Sequence, residues 1–180
     1  LYPGPILGFE TPQNIRHPLE EGTTVGDSIR LTGIDLPTMR FRDELPVTLY
    51  WQVLDQLPEN LNVSIRLVDE QRLVWGRVDR FPIGGLVRTQ FWEPGQVIRD
   101  EYKLKVDVGT PPGDYQFDIL LYDFERDDVY GHVRNLGAVT IDVGRTSADI
   151  NLAKTTSPHL VESPFNTGLN LLGHDLPDLA

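Results

Sequence analysis

The sequence predicts an all-β domain: an antiparallel β-sandwich of the immunoglobulin-like, Greek-key kind with about seven to eight strands. Three observations carry that expectation. Apolar residues recur at every second position in segment after segment, the spacing at which side chains alternate between the two faces of a strand. These segments are short and are separated by turns containing Gly, Pro and Asp. No window shows the helical period of about 3.6 residues, which argues against an α/β enzyme fold.

In chain order, "SIRLTGIDL" (28–36) reads as the first strand. In "LPVTLYWQVL" (45–54), Val47, Leu49, Trp51 and Val53 share one face, and Trp51 is expected in the core. "LNVSIRLVD" (61–69) places Leu61, Val63, Ile65 and Leu67 together, and "RLVWGRVD" (72–79) follows. "EYKLKVDV" (101–108) aligns Tyr102, Leu104, Val106 and Val108, while "YQFDILLYD" aligns Tyr115, Phe117, Ile119 and Leu121. "LGAVTIDV" (136–143) closes the series with Val139, Ile141 and Val143. One apolar and one polar face is the pattern of an antiparallel sheet wetted on one side, and two such sheets face to face give a sandwich. The stretch "PPGDYQFDILLYD" (111–123) fits a tyrosine corner, with the Tyr115 hydroxyl returning to backbone a few residues upstream. Pro111, Pro112 and Gly113 set the turn ahead of it, and this reading is preferred to an active-site lip.

The division of the chain follows. Residues 1–27 read as an N-terminal flank or linker and residues 28–143 as the sandwich. Residues 144–180 read as a linker and C-terminal strand, either part of this domain or the start of a sister module. The second alternative rests on a weak repeat. "HPLEEGTTVGDSIRLTGIDLP" (17–37) resembles "HLVESPFNTGLNLLGHDLP" (159–177), and their glycines, Gly33 and Gly173, stand 140 residues apart. "ILGFETP" (6–12) is a fainter echo. A start at Leu1 without Met suggests a segment of a longer chain.

The net charge of −11 repels nucleic acid and anionic lipid, and no basic run offsets it. The absence of cysteine excludes disulfides, thiol catalysis and Cys-based zinc sites. No apolar run approaches the roughly 20 residues of a membrane span, so no membrane insertion by this segment is expected.

A resemblance enters on "GIDL", "LYWQ", "DRFPIGG", "RTQFWEPG", "PGDY" and "LYD". Their order resembles a β-sandwich module that accompanies bacterial multi-span membrane glycosyltransferases and related envelope proteins. That module reads Gly-Tyr-Asp-Leu, Leu-Tyr-Trp-Gln, Asp-x-x-Pro-x-x-Gly, Thr-x-x-Trp-x-Pro-Gly, Pro-Pro-Gly-x-Tyr and Leu-Tyr-Asp. Here the elements fall on Gly33 to Leu36, Leu49 to Gln52, Asp79 to Gly85, Thr89 to Gly95, Pro112 to Tyr115 and Leu121 to Asp123. Ile34 replaces the usual aromatic, and "RFPIGG" is a looser copy of its segment. The resemblance covers roughly residues 28–143 and carries no catalytic residues. It implies an extracytoplasmic, non-catalytic accessory module of a larger envelope protein, partnered by neighbouring domains of the same parent, which is itself a candidate glycosyltransferase.

Candidate chemistry is sparse. His17, His132, His159 and His174 form no pair at metal-ligand spacing. Asp123, Glu125, Asp127 and Asp128 in "YDFERDD" could offer oxygen ligands to Ca²⁺, against the alternative of a solvated hairpin tip. Glu93, Asp100 and Glu101 do not form an acid/base pair, because Asp100 and Glu101 point to opposite faces. Trp75, Trp92 and Tyr122, with Tyr50 and Tyr130 beside them, are the aromatics that could stack on sugar in the alternative reading, a carbohydrate-binding module assisted by calcium. Asn62 in "NVS" matches a glycosylation acceptor.

Overall fold

A computed structural model describes residues 6–10, 12, 14–37, 44–57, 60–126, 128–141, 163–164 and 170–171. The chain divides into two units, Leu1–Asp142 and Val143–Ala180.

The first unit is a single antiparallel sheet built from β1 (Ile6–Gly8), β2 (His17–Val25), β3 (Ile29–Asp35), β4 (Glu44–Val53), β5 (Leu61–Val68), β6 (Val74–Arg80), β7 (Val97–Val106), β8 (Gly113–Asp123), β9 (Asp128–Val133) and β10 (Ala138–Ile141). Along the sheet the order is β10-β8-β5-β6-β7-β4-β3-β2, with β1 pairing β7 and β9 pairing β8. The expected all-β, antiparallel architecture is present. Its strands bond into one continuous sheet, curled into a half-barrel around the core.

Two glycines allow the curl. The β6–β7 ladder is only Gly76↔Val106 and Arg77↔Lys105. A Cβ at Gly76 would lie 2.8 Å from both Lys105 O and Leu104 Cδ2, so the narrow junction has no room for a side chain. On β9, a Cβ at Gly131 would lie 2.4 Å from Val25 Cγ1 and 2.8 Å from the Gly26 nitrogen. The β2–β3 turn therefore lies directly against β9, where the Ser28 N–H donates to Tyr130 Oη at 3.1 Å.

The alternation read from sequence builds the core. Leu49, Trp51, Leu61, Ile65, Phe117 and Ile119 are all fully buried, and Val139 and Ile141 close one end. Val143 lies outside the described residues, and Val108, beyond the end of β7, is exposed. The tyrosine corner forms: Tyr115 Oη donates to Pro111 O at 2.6 Å. The N-terminal stretch is a correction. From Ile6 onward it is no mere flank, because β1 and β2 are both sheet strands. In β2 the register shifts between Pro18 and Thr23, around Gly22 at φ +65, and this bulge conceals the period of two.

The registers place the connections after Val25, Val53, Arg80 and Asp123 at one end of the sheet, here called the upper end. Those after Val68 and Val106, and the tyrosine corner, lie at the lower end. In the second unit, β11 (Ser163–Pro164) pairs antiparallel with β12 (Asn170–Leu171).

Candidate functional site

At the upper end, the β6–β7 connection and the β8–β9 turn enclose a cleft of about 250 Å³. Phe81 and Phe124 line it together with Arg88, Arg126, Asp123 and Glu125. Both rings of this cleft reach solvent: Phe81 is 39% and Phe124 69% exposed. Leu86 at 75% and Phe91 at 64% lie on the same β6–β7 connection. Two exposed rings lining one cleft, as Phe81 and Phe124 do, are the kind of apolar surface that marks an interaction site. Sequence alternation missed all four, since they sit in turns with no strand period. The available signal was a bulky apolar residue flanked by charge, as in "DRFP" and "YDFERDD".

The β6–β7 connection is held from below. Pro82–Gly85 and Thr89–Phe91 form two short 3₁₀ turns. Within the first, Ile83 adopts φ 48, ψ 29, a left-handed conformation that a β-branched residue rarely takes. Its N–H donates at 2.9 Å to Oδ1 of Asp100, a carboxylate with 0% exposure on the core face of β7. Tyr102 Oη donates to the other carboxylate oxygen, and the Arg80 guanidinium lies 3.3 Å from Oδ1. Arg80 also stands 4.3 Å from the Tyr102 ring centroid and donates to Glu101 O. Burial raises the Asp100 carboxyl to about 6, against the opposing pull of Tyr102, the Ile83 N–H and Arg80. Burial, with Asp100 beside it, also pushes Tyr102 well above its usual value.

Of the carboxylates expected as calcium ligands, Asp123 serves the turn. Asp123 is buried, and its Oδ1 accepts the Glu125 N–H at 2.8 Å and the Arg126 N–H at 3.4 Å, an Asx turn closing the β8–β9 hairpin. Glu125 is exposed, and Asp128 is exposed as the ladder partner of Asp123. Asp127, His159 and His174 lie outside the described residues. Among the described residues no three His, Asp or Glu side chains are grouped to hold a metal ion.

The three aromatics expected on a sugar platform separate. Trp92 is 1% exposed and belongs to the core: its backbone N–H donates to Thr89 O at 3.0 Å, and the indole is buried with the core residues. Trp75, half-buried at the lower end, donates from Nε1 to Asp69 Oδ2 at 2.7 Å. Tyr122, half-buried on the polar face, bonds to Asp79 at 3.3 Å. Tyr50, whose parity puts it on the face opposite the core row of β4, is only 4% exposed, because Asp35 and Arg99 cover it.

The remaining polar groups are also held by the chain. Asp118, buried on the outer face of β8, accepts from Arg72 and from the Asn135 N–H at 3.1 Å, with His132 Nε2 at 3.6 Å. Burial, with Arg134 next to it, lowers the His132 pKa, so the imidazole is neutral near pH 7. Glu93 is exposed, while Glu101 pairs with Arg99 on the face opposite Asp100. Asn62, in the glycosylation-like triplet, is buried.

A larger cleft of about 840 Å³ opens at the lower end between the two ends of the sheet. His17 and Leu19 of β2 form one wall with Ile34 and Leu36, and Leu136 to Ile141 form the other. None of the site residues expected from sequence lines it. No helix among the described residues is long and apolar enough to cross a membrane. Neither the protein-family models nor the curated proteins contain a match to this chain.

Proposed function

We propose that the first unit is a non-catalytic interaction module of a larger bacterial envelope protein, an immunoglobulin-like sandwich whose upper end packs against a neighbouring domain. The observation that carries this reading is the exposed set Phe81, Leu86, Phe91 and Phe124, two of which line one charged cleft. Phenylalanine and leucine offer apolar area without a polar handle, and Arg88, Glu125 and Arg126 supply a rim that fixes orientation. The sandwich reading is supported by the tyrosine corner and by the strand order. The extracytoplasmic setting and the link to membrane glycosyltransferases rest on the motif resemblance alone.

The competing reading, a sugar site, has one favourable feature: rings beside the polar groups of Asn60, Gln90 and Asp123 in a concave cleft. One experiment separates the two. The purified chain is tested for binding of an apolar fluorescent probe, and on a glycan array with calcium and with chelator. Probe binding lost in Phe81→Ser/Phe124→Ser, with a silent array, is the expected result. Sugar binding abolished by the same substitutions would replace the packing module with a carbohydrate-binding one.

A further inference from the structure

We propose that residues 159–177 are a second copy of the β2–β3 hairpin, and that the surface they offer fits one partner: a strand of the β4 kind from a module of this same fold. Two observations carry the proposal independently. The first is the sequence repeat, in which Gly33-Ile34-Asp35-Leu36-Pro37 recurs 140 residues later as Gly173-His174-Asp175-Leu176-Pro177. The second is the ladder register. In the first unit Thr23 pairs with Leu31 and Thr24 with Arg30. In the second unit Ser163 pairs with Leu171 and Pro164 with Asn170. Each of these four residues stands 140 positions after its counterpart. The Gly-x-Asp-Leu-Pro motif contains none of them, so the pairing is not a restatement of the motif. A strand slipped by one residue would present the opposite face, so a shared register is a specific agreement.

The first hairpin shows what the copy is built to hold. β3 lies along β4 from Ile29↔Val53 to Asp35↔Thr48. It buries Ile29, Leu31, Ile34 and Leu36. The corresponding positions of the copy are Leu169, Leu171, His174 and Leu176, three of the four still apolar. Two polar contacts then fix β4: the Thr32 hydroxyl donates to Tyr50 O at 3.0 Å, and Asp35 accepts the Tyr50 hydroxyl at 2.9 Å. Asp175 keeps that acceptor, so the fitting strand carries a Leu-Tyr-Trp-like run whose tyrosine reaches it. The described residues of the second unit hold β11 and β12 and no third strand beside them.

The test completes the module. Residues 38–142 are appended after Pro177 of the chain, so that the copied hairpin is followed by every later strand of the fold. A reference chain joins residues 17–142 after Pro158, restoring the original hairpin. The expected result is an unfolding enthalpy and a far-ultraviolet β signal about twofold those of the parent chain, matching the reference. Leu171→Asp in the extended chain should abolish the gain and leave the first unit's transition in place, whereas Leu171→Ile should retain it. The proposal is overturned if the appended strands fold only in the reference. It is equally overturned if they fold when residues 159–177 are replaced by a Gly/Ser spacer of the same length.

Discussion

Tyr50 of β4 donates its hydroxyl hydrogen to Oδ2 of Asp35 in β3 at 2.9 Å, joining two stretches that the sequence shows only as separate motifs, "GIDL" and "LYWQ". Asp35 also accepts the Arg16 N–H at 2.6 Å, so one carboxylate ties the chain ahead of β2 to β3 and β4. Burial is the first cause of the raised Tyr50 pKa, and the Asp35 bond is the second. Hydrogen bonds to charged acceptors contribute about 1.5–3 kcal/mol when desolvated. Tyr50→Phe should therefore lower the unfolding free energy by about 1–2 kcal/mol in urea titration. A double-mutant cycle with Asp35→Asn should show strong coupling; additive losses would mean that the bond carries no stability.

The positions of Trp75, Trp92 and Tyr122, the two tryptophans and one tyrosine of the sugar-platform reading, predict very different responses to truncation. Trp92→Ala should cost about 3–5 kcal/mol, since it empties a fully buried site. Trp75→Ala and Tyr122→Ala should each cost about 1 kcal/mol, the loss of a half-exposed ring and one hydrogen bond. Denaturant midpoints of the three variants check this ranking. A Trp92→Ala variant as stable as the parent would place the indole outside the core.

Strand alternation made most of the fold legible. It found the inward rows of β4, β5 and β8, and the turn chemistry before Tyr115 located the corner correctly. It failed where local geometry broke the period. The bulge at Gly22 concealed β2, and the 3₁₀ turns around Pro82 and Trp92 gave no face to read. Tyr50 obeys its parity, pointing away from the Trp51 row, yet is buried because Asp35 and Arg99 cover it. The parity of β7 did contain one unused signal: Asp100 falls in the inward row with Ile98, Tyr102 and Leu104. An acidic residue in a core row implies buried partners, which here are Arg80, Tyr102 and the Ile83 N–H.

Closure of the curled sheet depends on a residue with no side chain. The backbone of Val25 and Gly26 lies so near Gly131 that an added methyl would stand 2.8 Å from the Gly26 nitrogen and 3.1 Å from the Val25 carbonyl carbon. A flexible side chain could move aside, but backbone on both strands cannot without displacing the Ser28 to Tyr130 bond. Gly131→Ala should accordingly cost about 1–3 kcal/mol. It should also accelerate amide exchange at Ser28, whose N–H is held by Tyr130. Unchanged exchange there would show that the turn and β9 are not coupled.

Asp100 makes stability depend on pH in a direction opposite to that of an ordinary ion-paired carboxylate. Its folded pKa, about 6, lies above the usual 3.8 because burial disfavours the charge more than Arg80, Tyr102 and the Ile83 N–H favour it. Between those values the folded chain holds a proton that the unfolded chain has released, so folding there takes up a proton. The stabilisation is complete below about pH 4 and is lost as pH rises through about 6, a swing of about 3 kcal/mol. Asp100→Asn has no proton to lose. The stability difference between parent and variant should therefore shift against the parent by about that amount from pH 4 to pH 7, with every other carboxylate cancelling in the comparison. Urea titrations of both proteins across this range measure it. A pH-independent difference would mean that Asp100 stays ionised throughout, with the Arg80 pair outweighing burial.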